Sequence, residues 1–168
     1  MADEIRILGR LDPDSQLNLI VRLLEWTVEV LPSGARELLE GEGRGAVDAA
    51  LDYVRAAAAG SPPDVELEEF EELEDQLSEL ADEVELQDLW QLFVALSDSV
   101  GVSAVDVTVD FTWTIMSACY DAIRDCEDLP ELPLGTAEPV VLDVERANAN
   151  CMRAIEYQKQ LVRTAAQE

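Results

Sequence analysis

Val105-Asp106-Val107-Thr108-Val109-Asp110-Phe111-Thr112-Trp113-Thr114-Ile115 decides the fold class, because it reads two ways. Its apolar residues alternate with aspartate and threonine, the period of a half-buried strand rich in β-branched residues. The helical reading instead lines up Asp106, Asp110, Thr114, Ser117, Asp121 and Arg124 on one polar face. The apolar pattern continues through Met116, Cys119, Tyr120 and Ile123 with no turn signal, for about 25 residues in all. Strands usually run about 5–6 residues. Length therefore favours helix, and with it an all-α chain.

Upstream, Asp12 suits a helix cap and Pro13 a first helical position. Leu17, Ile20, Val21, Leu24, Val28 and Leu31 then step by three and four until Pro32-Ser33-Gly34. A short helix over 35–40 is expected next, broken by Gly41, Gly43 and Gly45. A further helix over 46–59 turns Ala49, Ala50, Tyr53, Val54 and Ala57 inward. Gly60 ends it, and Ser61-Pro62-Pro63-Asp64 supplies a turn and a new cap.

Residues 65–84 carry an amphipathic stripe of Leu67, Phe70, Leu73, Leu77, Leu80 and Val84. Leu86, Leu89, Trp90, Phe93 and Leu96 make a second, rotated stripe, so a break is expected near Glu85–Gln87 and a separate helix to about Asp98. Downstream, residues 129–142 hold three prolines and Gly135 and read as a loop. Asp143 is expected to cap a last helix with Val144, Ala147, Cys151, Ile155, Gln158 and Val162 on one face. The expectation is one domain, 1–168, built as a compact bundle of about six helices. A domain of this length buries about 68–70% of its unfolded surface and needs no staple.

Charge is the extreme property of the composition. Asp and Glu number 37 against 11 Lys and Arg, for a net charge of −26. Such a chain repels phosphates, so nucleic acid and anionic membrane are not expected as ligands. No stretch reaches the ~20 apolar residues of a membrane span. The N-terminus has no basic region leading into an apolar run, so a cytoplasmic location is expected. Three reduced cysteines suit it. Cys119 and Cys126 lie seven apart, a rise of about 10 Å on a helix, beyond the ~7 Å limit for a disulfide.

With no histidine, a Ser–His–Asp or Cys–His arrangement cannot form. No phosphate-loop motif occurs, and a Glu-x-x-His di-iron site is excluded. No catalytic residue, cofactor or metal ligand is expected. The pairs Asp106/Asp110 and Asp121/Asp125 are candidates for a carboxylate site, with a solvent-facing stripe the plainer reading. Lys159, the single lysine, is expected to be exposed. The tryptophans and tyrosines sit at core spacing, and Trp113, beside the polar face, is the one whose exposure would point to an interface.

The charge is unevenly spread. Residues 61–100 carry 14 acids and no base, and so hold 14 of the 26 excess negative charges. Glu68, Glu72, Asp75, Glu79 and Asp82 follow one another at spacings of four, three, four and three, opposite the apolar stripe. These five residues are the expected binding surface for a basic protein. A solvated face is the plain alternative. A straight row surrounds no point, whereas calcium wants 6–8 converging oxygens.

One resemblance rests on Val94-Ala95-Leu96-Ser97-Asp98-Ser99-Val100 followed by Ala104-Val105-Asp106-Val107-Thr108-Val109. It resembles the middle of the bacterial, all-helical YjaG-like family. There a VALS-type helix end leads through a short turn into a helix rich in Val and Thr. The helix ending at Leu31-Pro32 and the stretch Ala50-Leu51-Asp52 are similar in order. The acidic helix near 65–85 is longer here than in that family. The resemblance implies an all-helical fold and no site. By layout alone, the chain also looks like small acidic immunity proteins that neutralise bacterial toxins.

Three functions are therefore open. The first is a non-enzymatic protein that binds a basic partner, a toxin in its most concrete form. The second is a housekeeping protein whose acidity adapts it to high salt or keeps it soluble; one lysine against ten arginines suits that. The third is a carboxylate metal-binding enzyme.

Overall fold

In the computed structural model of the chain the described residues are 2–61, 67–130, 132–133 and 135–167. The side chains of Ala2, Glu42, Leu67, Glu68, Val84 and Glu85 lie outside that description. Nine α-helices run through the described residues: α1 (Ala2–Leu8), α2 (Pro13–Val30), α3 (Ser33–Leu38), α4 (Arg44–Ala58), α5 (Leu67–Asp82), α6 (Trp90–Ser99), α7 (Val109–Asp125), α8 (Glu138–Ala147) and α9 (Ala149–Ala165). The all-α expectation holds, but the count of six is too low.

The deciding stretch is helical. Ala104–Asp106 forms a 3-10 turn, closed by reciprocal contacts between Ser103 and Asp106. The Thr108 side chain then caps α7, accepting from Phe111 N at 3.1 Å. The alternation dissolves on burial: Thr112 is wholly buried, whereas Val105 is 88% exposed. α7 starts four residues later than the first apolar residue of the stretch, so Asp106 lies outside its polar face.

α2 and α7 form the centre. They pack on each other, α2 also meets α4 and α9, and α7 also meets α6 and α9. Leu17, Ile20, Leu23 and Leu24 from α2 meet Ile115, Met116 and Cys119 from α7 in one apolar core. Asp12 caps α2 as expected, its carboxylate accepting from Ser15 N at 2.8 Å.

The missed helices each have a reason. α1 is short and acidic, and its buried Glu4 is held by Arg163 of α9 at 2.9 Å. The glycines at 41, 43 and 45 do not break the chain. Leu39–Gly43 forms a π-helical turn that runs directly into α4. A Cβ on Gly43 would stand 3.0 Å from Leu39 Cδ1, so the missing side chain lets buried Leu39 tuck under the turn. Within α4, Ala49 faces outward, contrary to expectation.

α8 falls where a loop is expected, because Pro139 occupies the first turn of a helix, where its missing N–H costs nothing. Asp143 is consequently interior to α8, and the expected last helix is two. Asn148 separates them and caps α9, accepting from Asn150 N and Cys151 N at 2.9 Å each. Ala147 is exposed, while Cys151, Gln158 and Val162 are buried as expected. The break after α5 comes at Glu83, followed by a 3-10 segment over Val84–Leu89. The expected turn at 62–64 lies outside the described residues. Among those described, no helix is long and apolar enough to cross a membrane.

Candidate functional site

The amphipathic pattern of α5 seats it against α6 and α4. Leu73, Leu77 and Ala81 are buried there, and Phe70 and Leu80 pack at the margin of the core. The Phe70 ring meets Tyr53 of α4 edge-on, with centroids 6.3 Å apart. It also lies over Gly101, where a Cβ would collide with the ring.

Seating α5 this way turns Glu72, Asp75, Glu79 and Asp82 to solvent, and all four are exposed. Glu69 and Glu71 are exposed beside them. The backbone of Glu68 continues the same row, but its side chain lies outside the described residues. From Glu72 to Asp82 the row spans about 15 Å at 1.5 Å per residue. Among the described residues, no ion pair reaches Glu72, Asp75, Glu79 or Asp82, whereas Arg44, Arg55, Arg124, Arg146, Arg163 and Lys159 are each paired with other acids.

A groove beside the row, between α5 and α6, is lined by Leu77, Asp82, Trp90, Phe93 and Asp98. Trp90 is 41% exposed, and partial burial pushes the Asp98 carboxyl above its ordinary value. The exposed indole is thus Trp90, and Trp113 is half-buried against the core. Trp90 opens α6 directly after the 3-10 segment, which places the ring at the rim of the core. The second apolar stripe is expected to turn Trp90 inward with Leu86, Leu89, Phe93 and Leu96; those four are buried and Trp90 is not.

The other candidates separate. Asp106 accepts from Ser103 Oγ at 2.6 Å and Asp110 is exposed, so they do not form a common site. Asp121 and Asp125 are bridged by Arg124, at 2.6 and 2.7 Å. Lys159 is half-buried rather than exposed and pairs with Glu156 at 2.8 Å. Among the described residues no three Cys, Asp or Glu side chains converge closely enough to hold a metal ion. All three cysteines are free thiols.

No family model, curated protein or solved structure matches this chain.

Proposed function

We propose that this chain is a non-enzymatic interaction protein that binds a basic protein through the outer face of α5. A toxin-neutralising immunity protein is one concrete form. The observation that carries the reading is the row Glu72, Asp75, Glu79 and Asp82, exposed and without an ion pair among the described residues, in a segment that contains no base. Arg44, Arg55, Arg124, Arg146, Arg163 and Lys159 are each paired with other acids, and none of them reaches this row.

Physically, a net charge of −26 attracts a cationic partner over long range. A continuous unneutralised row then sets where the partner comes to rest. The exposed Trp90 at the edge of the row supplies apolar area of the kind that anchors interfaces. The resemblance to the YjaG-like family agrees with the helical layout and adds no role.

The test is capture from the native host with two variants of equal net charge. One carries Glu72→Lys, Asp75→Lys and Glu79→Lys. The other carries Asp14→Lys, Glu29→Lys and Glu37→Lys on other faces. The reading expects a basic protein retained by wild type and the second variant and lost by the first. Equal loss or equal retention by both variants overturns it.

A further inference from the structure

The groove between α5 and α6 measures about 160 Å³. Leu77, Ala81 and Phe93 are its buried members, and Trp90 and Val94 stand along the α6 wall. From Trp90 to Asp98 that wall extends about 12 Å along the helix, at 1.5 Å per residue. Trp90 is the one aromatic side chain among the described residues that is left exposed. An apolar groove with an open indole is thus set directly beside the acidic row of α5.

Its carboxylates are Asp82 and Asp98. Asp82 is the last residue of α5, Asp98 lies in the last turn of α6, and neither turn carries a base. The carbonyl end of a helix is already negative, so a carboxylate there is unfavourable and a cation is favoured. Neither residue has a hydrogen bond or an ion pair among the described residues. Neighbouring atoms crowd the Asp98 carboxyl enough to push it above its ordinary value, and nothing opposes that shift. No Lys or Arg occurs in residues 61–100 to supply the complementary charge.

Size and chemistry together select the guest. Ligand clefts usually measure about 300–1,000 Å³, and an α-helix with its side chains is about 10–12 Å across. The groove is too small for either and admits one side chain. Two unpaired carboxylates disfavour an acidic guest, and they would be desolvated without compensation under a purely apolar one. A planar guanidinium stacks on an indole and is matched to carboxylate oxygens, whereas an ammonium is a compact, strongly hydrated point charge. We propose that the groove between α5 and α6 seats one arginine side chain of the basic partner. Its stem lies along Val94, and its guanidinium meets the Trp90 indole and the carboxylates of Asp82 and Asp98. The inference rests on the α5 reading above and names the residue type that the partner brings to it.

The probes are four capped pentapeptides, Gly-Gly-X-Gly-Gly, with X as arginine, lysine, citrulline or leucine. Each is titrated into the full chain while the Trp90 indole N–H resonance, identified by its loss in Trp90→Phe, is followed by NMR. The arginine peptide should shift it saturably and bind at least about threefold tighter than the lysine peptide, with no saturable shift from citrulline or leucine. Asp82→Asn with Asp98→Asn should weaken arginine binding about tenfold or more, the scale of a lost charged hydrogen bond. Ser78→Phe, which fills the groove from α5, should abolish it. Asp14→Asn with Glu29→Gln, exposed on α2, should leave it unchanged. Equal binding by lysine, citrulline or leucine overturns the proposal. So does wild-type affinity in the Asp82/Asp98 variant or in Ser78→Phe, or an equal loss in the α2 variant, which would mean attraction to the overall charge. If the groove variants do not fold, the four peptides on wild type decide. The titration uses no host protein, so its failure sinks the arginine seat and leaves the α5 reading to its own capture test.

Discussion

The hydroxyl of Thr112 on α7 lies 2.9 Å from the Oε1 atom of Gln16 on α2, and both residues are buried. The amide of Gln16 in turn donates to the Leu11 carbonyl at 3.1 Å. The two central helices are thus registered by a polar contact inside an apolar core. Thr112→Val keeps the shape and leaves Gln16 Oε1 without its donor, at a cost of about 1–3 kcal/mol. Adding Gln16→Leu should cost less than the sum of the two single changes. Urea unfolding with an unchanged slope checks both. Thr114→Val, on an exposed position of the same helix, should stay within about 0.5 kcal/mol of wild type.

Gly101 sits at φ +75° under the ring of Phe70, between α6 and the 3-10 turn that precedes α7. Gly101→Ala adds a Cβ where the backbone is strained for an L-residue and where the ring leaves no room. It should destabilise by at least about 1–3 kcal/mol. Hydrogen exchange should show the added opening concentrated in α5, since Phe70 is one of its anchors. Gly34→Ala, with open space around the position, serves as the control and should be near neutral or stabilising.

Burial pushes the Cys119 thiol up from 9.0 to about 12, against a smaller opposing contact with Thr27. Cys126 is also pushed up to about 12, by burial first and then by Asp88, Asp125 and Glu127 around it. In native protein at about pH 8 both should resist thiol reagents, and all three cysteines should react after unfolding. The linkage has a definite sign. Above pH 9 the unfolded Cys119 loses its proton while the folded one keeps it, so stability falls as pH rises. The slope from this thiol is about 1.4 kcal/mol per pH unit, up to about pH 12. Cys119→Ala should show a shallower alkaline decline in stability than wild type.

Salt separates the interaction reading from high-salt adaptation. The exposed row of α5 repels itself, and the Debye length of about 10 Å at about 0.1 M already screens much of that. Burial of Leu73, Leu77 and Ala81 outweighs the remainder. The chain should therefore stay folded at roughly 0.01 M salt, with a melting temperature that rises gently as salt is added. Loss of helical circular dichroism below about molar salt would favour the adaptation instead.

Strong helical period made α2, α5 and most of the core faces of α4, α6 and α7 readable from residues alone, with Ala49 and Trp90 the inward expectations that the structure turns out. The outward placement of Glu72, Asp75, Glu79 and Asp82 followed from it. What escaped depended on partners distant in the chain. α1 is too short to show a period, and its buried Glu4 is held by Arg163, 159 positions away. The glycines at 41–45 read as breakers because their tolerance of a π-helical turn depends on packing under Leu39. Pro139 read as loop because a proline in a helix's first turn and one in a turn look alike before the following residues are placed. Glu145, expected nowhere, owes its burial to α8 folding over Tyr120 and Arg124.

The central claim is that a basic protein rests on the outer face of α5. Hydrogen exchange of the chain with and without the protein recovered from its host tests this most directly. The account predicts slowed exchange across Glu69–Asp82 and the adjoining start of α6 at Trp90, with the exposed turns of α2, α3 and α9 unchanged. Slowed exchange on those helices while α5 exchanges as in the free chain would contradict it.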